Sequence, residues 1–170
     1  MRLFTTAFQA GAWRLGSTLA LLFAAGAASA VTCTVSTAGL PFPAYSVFNA
    51  VATTGNATIK LTCSLDASDN PPITVNYVMS LSTGSSNSYV NRTLTIPGDS
   101  LTYNIYTSNT YGVVWGNGNG GSSSQSGSLM LTNGNPSRTE NKTAYGRIPA
   151  LQDVSVSNNY HDSITVTVTY

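Results

Sequence analysis

The sequence predicts an all-β sandwich, and three observations carry that reading. Short runs rich in β-branched and aromatic residues recur along the chain, clusters of Gly, Pro and Asn separate them, and no segment has the apolar period of an amphipathic helix. Strands this short bury their apolar faces as two packed sheets around a shared interior.

Taken in order, the first 30 residues stand apart. Arg2 and Arg14 form a basic region, Leu19 to Ala25 is an apolar run, and Ala28-Ser29-Ala30 is a small-residue cleavage site. This reads as a secretory signal peptide, since a membrane anchor needs roughly 20 apolar residues and a basic stop. Cleavage after Ala30 starts the mature chain at Val31 and leaves 140 of the 170 residues, the size of one ordinary domain.

Strands are then expected at 32–36 (TCTVS), 57–65 (ATIKLTCSL), 73–82 (ITVNYVMSLS), 92–96 (RTLTI) and 101–108 (LTYNIYTS). Further runs follow at 112–116 (GVVWG), 127–132 (GSLMLT) and 143–149 (TAYGRIP). Thr54-Gly55-Asn56, Asp69-Asn70-Pro71-Pro72, Pro97-Gly98-Asp99 and Asn133-Gly134-Asn135-Pro136 are the turn signals, and the polar stretch Asn117 to Gly127 reads as a flexible connection. The closing stretch, SITVTVTY, sets Ile164, Val166, Val168 and Tyr170 on one face and Ser163, Thr165, Thr167 and Thr169 on the other. Such a strand must pair on both sides, be covered, or remain an open edge.

Cys33 and Cys63 are the two cysteines, and in an exported protein they are expected to form a disulfide. A metal site is the weaker alternative, because His161 is the one histidine and no Cys, Asp or Glu lies at ligand spacing. Losing Arg2 and Arg14 reduces the seven Lys and Arg to five, against six Asp and Glu, a net charge near −1. The remaining cations are scattered, which argues against nucleic acid and anionic membrane as partners.

Catalytic patterns are missing. There is no GxSxG, HExxH, Cys/His pair or phosphate-cradling glycine loop, and His161 and Asp162, as strand neighbours, point to opposite faces. No enzyme is expected, and no cofactor. Asp162 is expected to accept backbone hydrogen bonds where the last strand begins. The N-x-S/T triplets at Asn56, Asn91 and Asn141 are what chance allows in a chain so rich in Asn, Ser and Thr.

A family resemblance rests on the order Cys33, FPAY (42–45), LTC (61–63), NRTL (91–94), LTYNIYT (101–107), VWGNG (114–118), YGRIPALQ (145–152) and NYHDSITVTVTY (159–170). With these segments the mature chain resembles the spore coat protein U domain family, which includes subunits of archaic chaperone-usher pili. Pro43 and Asn159 depart from the family pattern, which commonly has glycine at both places; both are expected in turns.

The resemblance implies an incomplete immunoglobulin-like, pilin-like sandwich with an open acceptor groove beside the C-terminal strand. Ile164, Val166, Val168 and Tyr170 would help wall that groove, and Tyr145, Gly146, Arg147, Tyr160 and Asp162 would form the family's structural motif. It further implies export through the inner membrane to the periplasm and then the cell surface, with a periplasmic chaperone, an outer-membrane usher and a strand-donating neighbouring subunit as partners. Cleavage after Ala30 leaves Val31 and Thr32 before Cys33, too little for a donor strand, so a terminal, adhesin-like subunit is expected. The alternatives are a self-sufficient coat or matrix protein, and a secreted sugar-binding module using Tyr89, Tyr111 and Trp115. Core packing is the plainer role for those aromatics.

Overall fold

The computed structural model describes residues 31–170; the signal peptide read at 1–30 lies outside them. Eight strands form, β1 Thr32–Thr37, β2 Thr53–Ser64, β3 Ile73–Leu81, β4 Arg92–Ile96, β5 Asp99–Tyr106, β6 Gln125–Leu131, β7 Ser137–Ile148 and β8 Val166–Thr169. Among the described residues the one helical element is a short 3-10 turn, Gly84–Ser86. A five-stranded sheet, ordered β1-β2-β7-β5-β4, packs on a three-stranded sheet, β6-β3-β8, and every pairing is antiparallel. The core lies between them, where Leu61, Tyr77, Met79, Trp115, Leu131 and Ile148 are fully buried.

Alternation explains most of this. In β2 and β3, residues at every second position are buried and their neighbours exposed, so each strand turns one face inward. The Pro97-Gly98 and Asn133-Gly134 signals do lie in turns, between β4 and β5 and between β6 and β7.

Three expectations fail for physical reasons. The run at 112–116 is no strand: Val114 and Trp115 make isolated bridges to Tyr106 and Ser123. Trp115 instead plugs the core, its indole N–H donating to the Met79 carbonyl at 3.1 Å and its backbone N–H to the Ile105 carbonyl at 2.8 Å. A short apolar run signals burial, and periodicity cannot distinguish a buried strand from a buried loop. The second failure is the turn at Thr54-Gly55-Asn56, which lies inside β2 with Gly55 directly opposite Gly146 of β7. The two glycines make a flat seat on the inner face of the large sheet, and the segment Leu40-Pro41-Phe42 lies on it. A Cβ at Gly55 would collide with the Pro41 carbonyl, and one at Gly146 would lie 2.5 Å from Phe42 Cζ and 2.8 Å from Leu40 Cδ2. The glycines are needed for close approach, not for a turn. The third is the closing strand, whose ladder pairing begins at Val166 rather than at Ser163.

Replacing Gly146 by Val should therefore lower stability by about 1–3 kcal/mol, the usual cost of overpacking, even though valine favours strands. Gly134→Ala is the control, since a Cβ there meets nothing within 4 Å. Thermal unfolding of the two variants checks this, and equal melting temperatures would remove the packing explanation.

Beyond β7 the chain descends beside the large sheet. The Gln152 side chain bonds both backbone groups of Thr102, at 2.8 and 2.9 Å, and so acts like one more residue of strand. Ser155 N–H donates to Asp99 Oδ2 at 2.5 Å, and the backbone bonds onto the Asp99 carboxylate hold its pKa down to about 2. His161 then pairs with Thr95, its carbonyl accepting the Thr95 N–H at 2.8 Å, which covers part of the free edge of β4 before the chain crosses to β8.

Candidate functional site: the cleft between the first and last strands

Cys33 and Cys63 are bonded and lie directly opposite each other in the β1–β2 register, with Cα atoms 4.0 Å apart. That spacing belongs to a pair whose backbone groups point away from each other. The Cys33 N–H does point away from β2: it donates to the Tyr170 hydroxyl at 3.3 Å. By alternation, Cys33, Val35 and Thr37 turn their backbone groups to the open side of β1, while Thr32, Thr34 and Ser36 turn theirs to β2.

β8 alternates in the same way. Ser82 N–H donates to the Thr165 carbonyl at 3.0 Å and Thr165 N–H to the Ser82 hydroxyl at 2.9 Å, so Thr165 faces β3. Thr167 and Thr169, opposite Ser80 and Val78, do likewise. The backbone groups of Ile164, Val166 and Val168 are left facing away from β3. Among the described residues β1 pairs only with β2 and β8 only with β3.

A cavity of about 320 Å³ opens between these edges. Thr37 and Gly39 line one side, Ile164 and Val166 the other, and Ala57, Ile59, Leu81, Ile105 and Ala144 belong to its apolar floor. The floor is core: these five side chains are buried. The walls are apolar but open, with Ile164, Val166 and Val168 only half-buried and Val35 39% exposed. Among the described residues no strand covers these side chains.

Of the four residues expected on the groove wall, Ile164 and Val166 line the cavity. Val168 packs against the core without lining it. Tyr170 is 57% exposed and meets Cys33 across the gap. Of the five motif residues, Asp162 lines the cavity, and Gly146 lies under Phe42, which lines it too. Gly146 receives Phe42, which stacks edge-on against Tyr103 at 5.9 Å. Tyr103 O–H donates to Asp162 Oδ2 at 2.7 Å, and Asp162 Oδ1 accepts the N–H groups of Ser85 and Ser163 at 2.9 and 2.8 Å. Burial, reinforced by the Asp162 carboxylate, pushes the Tyr103 hydroxyl pKa up. Asp162 thus holds the start of the last segment to the 3-10 turn and to β5. Tyr145 and Arg147 lie elsewhere, on β7, where the Arg147 guanidinium sits 5.4 Å over the Tyr111 ring. Tyr160, beside His161, lines a second cavity of about 460 Å³ beneath the 40–45 segment.

Sequence reading missed Arg92, one more cation in a polar run, which is completely buried in β4. Its guanidinium donates to the Ser82 carbonyl twice, at 2.7 and 3.1 Å, to Asn104 Oδ1 at 2.7 Å and to the Trp115 carbonyl at 2.8 Å, and it lies 5.2 Å over the Tyr89 ring. Burial lowers its pKa. Trp115 is likewise fully buried, and the Tyr89 hydroxyl donates to the Leu81 carbonyl at 3.0 Å. Trp115 is therefore absent from any sugar-stacking surface. Among the described residues no group of His, Cys, Asp and Glu is placed to hold a metal ion, and no helix is long and apolar enough to cross a membrane.

No curated protein matches the sequence. Among solved structures, the fold is similar to a crystal structure of the CsuC-CsuE chaperone-tip adhesion subunit pre-assembly complex from archaic chaperone-usher Csu pili of Acinetobacter baumannii. Identity is 17% and the TM-score 0.48, over 83% of this chain and 40% of that one, so this chain spans about two fifths of that structure's length. The family model of the Spore Coat Protein U domain matches residues 19–167, from ahead of β1 into β8. With most of its length matched, the chain belongs to the Spore Coat Protein U domain family.

Proposed function

We propose that this protein is an exported structural subunit of a bacterial surface fibre or coat, and that a strand lent by another polypeptide completes its sandwich. One observation carries the reading: among the described residues β1 and β8 each have one side without a paired strand, and their partly exposed apolar side chains border a cavity over the core. An incoming strand would satisfy the free backbone groups of Ile164, Val166 and Val168 and cover the floor with every second side chain. Four such side chains, at roughly 1.5–3 kcal/mol each, amount to about 6–12 kcal/mol, comparable with the stability of a whole domain. A periplasmic chaperone would lend the strand first, and at an outer-membrane usher a neighbouring subunit would replace it. The finer reading, a terminal, adhesin-like subunit, rests on cleavage after Ala30.

Expression with and without a strand-lending chaperone tests the first part. Little folded protein should accumulate alone, and a stoichiometric complex should form with the chaperone. Equal accumulation of a stable monomer in both cases would favour the self-sufficient coat or matrix protein. The mass of the mature protein tests the second part: a start ten or more residues before Cys33 would refute the terminal assignment and leave the strand-accepting fold intact.

A further inference from the structure

Tyr170 lies where the cleft ends. Two observations relate the edges of β1 and β8: the Cys33 N–H donates to the Tyr170 hydroxyl, and Thr37 and Val166 both line the cavity. The intervening pair is Val35 and Val168, and neither lines the cavity. The open space therefore runs from Gly39 and Ile164 to Thr37 and Val166 and closes towards the disulfide. There Tyr170 bridges the gap between the two strands. Its hydroxyl takes the N–H of Cys33, a backbone donor on the open side of β1 that a strand in the cleft would otherwise satisfy with a carbonyl.

We propose that Tyr170 is the end stop of the cleft, a positioning residue that sets how far an inserted strand reaches. Resting on the strand-accepting reading above, this names the occupant as an extended segment of another polypeptide with an apolar residue at every second position. Such a strand pairs along Ile164, Val166 and Val168 and ends there. It does not reach the Cys33 N–H, which stays with Tyr170. The register follows from two requirements acting together. Apolar side chains must enter over Ala57, Ala144 and Ile59, and the ring bars a shift towards the disulfide; because side chains alternate, a slip by one residue would turn the apolar set outward.

Residue-resolved amide hydrogen exchange on the mature, disulfide-bonded protein tests this, with a ten-residue peptide of alternating Val and Thr, flanked by lysines, as the probe. In the wild type the peptide should slow exchange at Val166 and Val168 by at least about tenfold and leave Cys33 unchanged. Tyr170→Phe keeps the ring and loses the hydroxyl, so the Cys33 amide should exchange about tenfold faster, with the peptide and without it. Tyr170→Ala opens the end, and there the peptide should restore protection at Cys33. Peptide-dependent change at Cys33 in the wild type, or none in Tyr170→Ala while Val166 and Val168 remain protected, overturns the end stop and leaves the strand-accepting cleft standing. No protection at Val166 or Val168 in any variant overturns both.

Discussion

Arg92→Ala is expected to cut the yield and the melting temperature of the folded protein sharply. The substitution removes a guanidinium that is completely buried and gives hydrogen bonds to Ser82, Asn104 and Trp115. Each buried acceptor left without a donor costs about 1–3 kcal/mol, and the emptied volume adds to that. The total reaches roughly 4 kcal/mol or more, a large share of the 5–15 kcal/mol that holds a typical domain together. Arg92→Lys should recover little, because an ammonium cannot reproduce the planar fork that reaches three separate residues. The position matters because the same guanidinium ties the end of β3, the start of β4 and the Trp115 plug into one unit beside the cleft. Periplasmic yield and thermal unfolding are the measurements. A melting temperature for Arg92→Ala within a few degrees of the wild type would show that the network contributes little.

Val166→Asp should abolish accumulation in the periplasm, whereas Thr167→Asp should be mild. Val166 lines the cavity and packs against the core, so a carboxylate there is placed on an apolar wall with no cation or donor provided for it. It would also oppose any strand that inserts an apolar side chain at that place. Thr167 is its neighbour on the exposed face, and substitutions at such positions usually change stability by no more than about 0.5 kcal/mol. Adjacent residues of one strand thus separate damage to the inner face from damage to the strand as a whole. Equal loss at the two positions would mean that β8 is covered on both faces and is not the edge of an accepting cleft.

Much of the sandwich was legible in the chain. Runs rich in β-branched and aromatic residues overlapped all eight strands, although β7 starts at Ser137, well ahead of its run at 143–149. The pairing of Cys33 with Cys63 followed from an exported chain with two cysteines. The inward face of the last strand, Ile164, Val166 and Val168, was written in its alternation. Gly55 shows where this stops. Within its own stretch it looks like a turn residue, and only the arrival of Pro41 and Phe42 on the sheet shows why a side chain is excluded.

By itself the sequence determined the fold class, the disulfide and which side chains of the last strand turn inward, because these depend on local period and composition. The tertiary structure alone decided that Arg92 belongs to the core, that Asp162 anchors to Ser85 and Tyr103, and which edges of the described strands lack a partner. Those outcomes rest on partners distant in the chain: Asp162 and Ser85 are 77 residues apart, and Cys33 and Tyr170 are 137 apart. A charged residue is buried, or an edge left open, according to what the rest of the fold brings beside it, and no local pattern of residues records that.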